Sequence, residues 1–186
     1  MKVKDVIASA LRLIGRAELT SDITYPSDSE YEDAEEVIST LLYCFNAVED
    51  ELARKYIPLV ATQEMSSFDT KFYYSDFRHY PVKIKRVTVD GSRADFEVFP
   101  KYLQVRARKI TAEYEYVPAR KKIGDDSEYD ESVGEHLIAL GIASEYSVIN
   151  GEAEMADVWE KKYREQLDRV QRSLHVCENI PPRRWV

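Results

Sequence analysis

Hydrophobic positions along this chain fall into three successive patterns: helical, alternating, then helical again. Val3, Val6, Ile7, Ala10, Leu11 and Ile14 recur at i, i+3 and i+4, which places one apolar stripe on a first helix over 3–14. Gly15 stands where a helix commonly ends. After a polar connector through Pro26, Ser29 and Glu32 have the spacing of a capping box. Ala34, Val37, Ile38, Leu41, Leu42, Phe45, Val48, Leu52 and Tyr56 then sustain a stripe. A second helix is predicted over 30–56, roughly 40 Å long, and Pro58 stops it.

The period then drops to two. Strands are predicted over 60–66, 71–74, 82–89, 94–99, 103–106 and 110–117. Asp90-Gly91 signals a tight hairpin, with 94–99 as the returning strand. Pro81, Pro100 and Pro118 fall at run boundaries, where a missing N–H does least harm. Helical spacing resumes after an acidic loop. Ser132 and Glu135 again have capping-box spacing. They open a third helix over 132–149, with Val133, Leu137, Leu140, Gly141, Ser144 and Val148 on one face. A fourth helix is predicted over 152–174, striped by Met155, Val158, Trp159, Tyr163, Leu167, Val170 and Leu174.

The expected fold class is α+β. It is a four-helix bundle, of two N-terminal and two C-terminal helices, with an inserted small antiparallel β module and an extended C-terminal arm. The bundle takes 1–58 and 131–175, the β module 59–120 and the arm 176–186.

Composition narrows the class. With 186 residues, 44 % hydrophobic and 32 % charged, the chain suits one globular domain with an insert. No apolar run approaches the roughly 18 residues that span a bilayer. Met1-Lys2-Val3-Lys4-Asp5 leads into an amphipathic pattern, so no secretion signal is expected. Cys44 and Cys177 match no metal or redox spacing, which fits synthesis in a reducing, intracellular setting. The net charge of −8 is unevenly spread. Lys71 to Lys122 holds 13 basic and 6 acidic residues, and the remainder 13 basic and 28 acidic.

Candidate chemistry is sparse. The sequence has no Gly-rich phosphate loop, nucleophile elbow or HExxH pair. His79, His136 and His175 have no ligand-type neighbour at helical spacing. Asp125-Asp126 is explained by solvation and the dipole of the helix that follows. No catalytic residue, metal or cofactor is therefore predicted. The notable features are aromatic. Phe72, Tyr73, Tyr74, Phe77 and Tyr80 cluster within nine positions. They read as sheet packing, as a subunit interface, or, with basic residues nearby, as a nucleic-acid surface. Pro181, Pro182, Arg183, Arg184 and Trp185 form a stiff, cationic, aromatic segment, with residue types that dominate binding hot spots.

Several local runs resemble head–tail connector (adaptor) proteins of tailed bacteriophages. They are Leu140-Gly141-Ile142-Ala143-Ser144-Glu145-Tyr146, Asn150-Gly151, Trp159-Glu160-Lys161-Lys162-Tyr163-Arg164 and Arg183-Arg184-Trp185. Pro81-Val82-Lys83-Ile84 and the spacing of Tyr114, Tyr116 and Pro118 are similar too. The resemblance covers most of the chain and rests on order and local wording. It implies a homo-oligomeric ring, usually of twelve subunits, docked beneath the portal protein in the neck of the virion. Such a ring extends the DNA channel and offers a surface to a tail or tail-completion protein. Genomic DNA passes without sequence-specific binding, and no membrane is involved. The resemblance also implies a portal-binding arm, carried here by Pro181, Pro182, Arg183, Arg184 and Trp185. The competing reading is a nucleic-acid-binding module using Lys83, Lys85, Arg86, Arg106, Arg108 and Lys109.

Overall fold

In the computed structural model, which describes residues 1–178, the chain is a mixed α+β protein with antiparallel sheets. It divides into two compact units, one of residues 1–49 and 120 onward, the other Asp50–Ala119.

The first unit is helical. Helix α1 spans Val3–Leu13 and buries Val3, Val6, Ile7, Ala10 and Leu11, the stripe read from the sequence. Two short 3-10 turns, Ala17–Asp22 and Pro26–Asp28, replace a plain connector. Helix α2 spans Ala34–Glu51 and starts later than the capping-box spacing predicts. The Ser29 hydroxyl donates to Asp22, and Ser29 Oγ accepts the Tyr31 N–H, so Ser29 closes a turn instead. The helix begins where the Arg16 guanidinium holds both oxygens of Asp33, at 2.8 and 2.9 Å. Such a fork fixes geometry as well as charge. Residues Leu52–Tyr56 continue as a π-helical turn, closed by the Ile57 N–H donating to the Leu52 carbonyl at 2.7 Å. The wider turn falls where the chain passes from one unit to the other.

Helix α3 spans Glu135–Ile149 and α4 spans Ala153–Glu178. The expected capping box at the start of α3 is absent. Ser132 donates to Asp130, and Glu135 accepts from Ser9 on α1. Helix α3 is buried along most of its length, from Leu137 to Ser144. It packs against α1 and α4, and Gly141 permits its closest approach. A β-carbon there would lie 2.9 Å from Val48 Cγ1 on α2 and 3.1 Å from Tyr163 Cε2 on α4. Helix α4 runs past the predicted end at 174. Three residues of the expected arm, 176–178, are therefore helical. Pro181, Pro182, Arg183, Arg184 and Trp185 lie outside the described residues.

One buried carboxylate stands out in this unit. Glu49 on α2 is 1 % exposed. Its Oε1 accepts the Ser127 hydroxyl and the Glu128 N–H, while Oε2 is buried without a hydrogen-bond partner. Burial raises its pKa above the ordinary carboxylate range, against the lowering effect of those two donors. A raised carboxyl pKa means the folded state binds the proton more tightly. Its stabilising contribution is present below the ordinary carboxylate pKa and is lost as pH climbs through the raised value. Glu49→Gln keeps an acceptor and removes the charge. Its melting temperature should exceed wild type at neutral pH and converge with it in acid. A thermal melt series across pH checks this, and a Gln variant less stable at neutral pH would reverse the assignment.

The second unit is two small antiparallel sheets over one core. Strands β1 (Leu59–Ser66), β2 (Lys71–Tyr73), β3 (Pro81–Val89), β4 (Ser92–Arg93), β5 (Phe96–Val98), β6 (Tyr102–Val105) and β7 (Lys109–Tyr116) follow in order. One sheet has the order β1-β7-β3-β4 and the other β2-β6-β5. The Asp90-Gly91 turn forms as expected, with φ of 50° and 79°, the left-handed pair a two-residue hairpin needs. The predicted returning strand over 94–99 does not form as one piece. Ser92 and Arg93 pair back onto β3, the Ala94 N–H donates to the Val87 carbonyl at 2.9 Å, and Phe96–Val98 then crosses to the second sheet to pair with β6. Phe72, Phe77, Val87, Leu103, Val105, Ile110, Ala112 and Tyr114 fill the space between the sheets. Phe77 meets Tyr114 edge-on at 4.9 Å.

Candidate partner-binding surface

The five clustered aromatics do not form one surface. Strand geometry sends neighbouring side chains to opposite faces. Phe72, on β2, is 1 % exposed and Phe77 is 7 % exposed, so both are spent on the core of the β unit. Tyr73 points outward and packs its ring 5.8 Å from Tyr102. Tyr74 is half-buried and donates its hydroxyl to the Phe99 carbonyl at 2.9 Å. Burial raises its pKa, with a smaller push from Tyr80. Tyr80 is 68 % exposed and meets Tyr74 edge-on at 6.1 Å.

Gln63 on β1 sets this loop. Its Nε2 donates to the Asp76 carbonyl, and its Oε1 accepts the Arg78 N–H and the Tyr114 hydroxyl. His79 stacks on Tyr116 at 4.2 Å, a packing contact. The outcome is a groove of about 700 Å3 lined by Tyr74, Tyr80, Val82, Ile84, Val98 and Phe99, among others, with Arg54 and Lys83 at its margin. Val82 and Val98 are exposed. Strand β4 covers only Thr88 and Val89 of β3, so among the described residues no strand pairs with the outer edge of Pro81–Arg86. Lys83, Lys85 and Arg86 lie along that edge, the usual way a bare edge is blunted against pairing.

The six basic residues of the nucleic-acid reading are partly neutralised within the sheet. Arg86 reaches Glu113 at 2.7 Å, Lys85 reaches Glu115 at 3.8 Å and Lys109 reaches Glu64 at 3.3 Å. The unit boundaries also dilute the charge contrast. Asp50–Ala119 holds 12 basic and 10 acidic residues, because Arg120, Lys121 and Lys122 belong with the helices.

Titratable chemistry elsewhere is structural. The buried Cys44 thiol is pushed up to about 12, first by burial and then by Glu145, which keeps it protonated and unreactive. Asp126 pairs with Lys2 at 2.7 Å, which lowers its pKa, and Asp125 accepts the Lys122 N–H. The acidic loop is thus a set of turns and pairs. Among the described residues no group of His, Cys, Asp or Glu is arranged to hold a metal ion. No helix of the described residues is long and apolar enough to cross a membrane.

Sequence reasoning missed Phe68. It is 97 % exposed, at the tip of the β1–β2 loop. The signal was available, since Ser66-Ser67-Phe68-Asp69-Thr70 sets one aromatic among turn-forming polar residues. No protein-family model matches the chain, and no curated protein sequence matches it.

Proposed function

We propose that this chain is a structural virion protein, one subunit of a head-to-tail connector (adaptor) ring in a tailed bacteriophage. The ring docks beneath the portal, extends the DNA channel and provides the tail attachment surface. It is a homo-oligomer of twelve copies in the neck of the virion, assembled from protein made in the host cytoplasm. The genome passes through it during ejection without sequence-specific contact. The chain performs no catalysis and takes no cofactor. In this reading the four helices form one bundle that carries the inserted β module. The segment beyond the last helix, with Pro181, Pro182, Arg183, Arg184 and Trp185, is the arm that engages the portal.

The observation that carries the assembly part of this reading is uncovered apolar surface on the β unit. Phe68, Tyr80 and Val98 are each more than 60 % exposed. Tyr80 and Val98 line one groove together with exposed Val82, and contiguous apolar surface of this kind is what partner proteins commonly cover. The phage part rests on the resemblance in sequence order and local wording. Imaging of particles from cells expressing a tagged chain tests the reading. The tag is expected at a ring between head and tail, and a tag found on no particle would refute it.

A further inference from the structure

Two surfaces of the chain, one in each unit, are complementary to each other. The first is the tip of the β unit. Phe68 stands there almost wholly in water. Its loop is fixed: the Ser67 hydroxyl donates to Asp69 at 2.7 Å, and the Lys71 N–H donates to the same carboxylate oxygen at 3.3 Å. Thr70 holds a φ of 61°, costly for a branched side chain and kept only where surroundings enforce it. The Ser67 N–H donates to the Arg108 carbonyl at 2.8 Å, which binds this loop to the β6–β7 turn. That turn brings Arg106, Arg108 and Lys109, all exposed, beside the phenyl ring's loop. A shallow hollow of about 330 Å3 lies between Phe68 and Arg108. Lys109 is paired with Glu64 at 3.3 Å and Asp69 is tied up within the loop, so Arg106 and Arg108 carry the positive charge. The rigid aromatic beside them is an anchor with little ordering entropy left to lose.

The second surface is the corner between α3 and α4. The apolar stripes of both helices run on past their burial. Val148 and Ile149 at the end of α3 are 62 % and 52 % exposed, and Met155 and Val158 on the first turns of α4 are each 45 % exposed. Deeper in the same helices the stripe residues Leu140, Trp159 and Tyr163 are buried. From Leu140 to Glu160 the chain has five carboxylates, Glu145, Glu152, Glu154, Asp157 and Glu160, and no Lys, Arg or His. The corner is therefore apolar with Glu145, Glu152, Glu154 and Asp157 around it. Basic side chains begin only further along α4, where Lys162 lies over the Trp159 ring at 4.4 Å and Arg164 pairs with Glu160.

We infer that these two surfaces bind each other between copies, Phe68 of one protomer seating on the α3–α4 corner of the next. The contact is heterologous, the kind that closes rings or extends filaments. Opposed charges would set its register and disfavour tip-to-tip pairing, where Arg106 and Arg108 of both copies would face one another. The inference rests on the proposed self-assembly and names its contact.

The test uses full-length chains carrying Cys177→Ser to remove a background thiol. One protein adds Ser66→Cys beside Phe68 and the other Ala153→Cys beside Met155, so both contact residues stay in place, and they are mixed at high concentration under mild oxidation. A cross-linked dimer is expected in the mixture and not in either protein alone. Arg108→Glu in the first protein should lower the cross-linking rate about tenfold. Glu154→Lys in the second should restore it, a rescue that misfolding could not produce. Equal cross-linking of the Ser66→Cys protein with itself, or no mixed dimer, would overturn the contact. Sedimentation of the wild-type chain separates the two claims. A wild-type ring with no mixed dimer defeats this contact alone, and a wild-type monomer with no mixed dimer defeats self-assembly as well.

Discussion

Phe72→Ala should destabilise the β unit by about 3–5 kcal/mol. Phe72 is 1 % exposed and lies among Leu103, Val105, Ile110 and Tyr114, where truncation leaves a void that strand backbones cannot close. The whole stability of a domain is about 5–15 kcal/mol, so the loss removes a large part of it. Tyr73→Ala, one residue along and on the opposite face, should cost less than about 1 kcal/mol. Denaturant titration of the two variants measures the difference. Amide exchange should place the damage in β2, β6 and β7, and leave α3 and α4 comparatively protected, because the helices belong to a separate compact unit. Equal losses for the two substitutions would mean that the aromatic cluster acts as one surface.

The second large effect concerns the segment after α4. In the proposed reading, truncation after Asn179 should leave the thermal melt of the protein unchanged, since the arm follows the last helix in sequence. In the proposed reading it should abolish attachment to portal-bearing heads. Pro181-Pro182 restricts the backbone before docking, Arg183 and Arg184 supply forked bonds to carboxylates, and Trp185 supplies buried area. Each arm contributes modestly, but the contacts multiply around a ring, so loss of all of them is felt as loss of attachment. Pull-down of heads on immobilised protein reads the effect. Unchanged capture would remove the arm from the portal contact, and a lowered melt would make it a brace within the chain.

Much of the fold was legible because burial in this chain is regular. The α1 stripe and the alternation of β7 each match the residues that the structure buries. The limits were physical as well. Ser29 and Ser132 have the right spacing for caps, yet Ser29 Oγ accepts the Tyr31 N–H within a turn, Ser132 is held by Asp130, and the helices start only at Ala34 and Glu135. The split of the β unit into two sheets was hidden, because a two-residue return on β3 leaves a strand signal that continues into 94–99 while the chain changes partner. The aromatic cluster was read as a unit although Phe72 and Tyr73 must face opposite ways. Periodicity also promised burial of Val148, Met155 and Val158, which the isolated chain leaves exposed. Under the proposed contact between copies, those departures mark where the next protomer sits.

The most direct measurement is an electron cryo-microscopy image of the chain within its native particle, resolved well enough to count copies. The account predicts identical copies in a closed ring of twelve between portal and tail, each presenting its β-unit tip to the α3–α4 corner of the next. A single copy with no like neighbour, or a chain found bound along nucleic acid outside any particle, would contradict it.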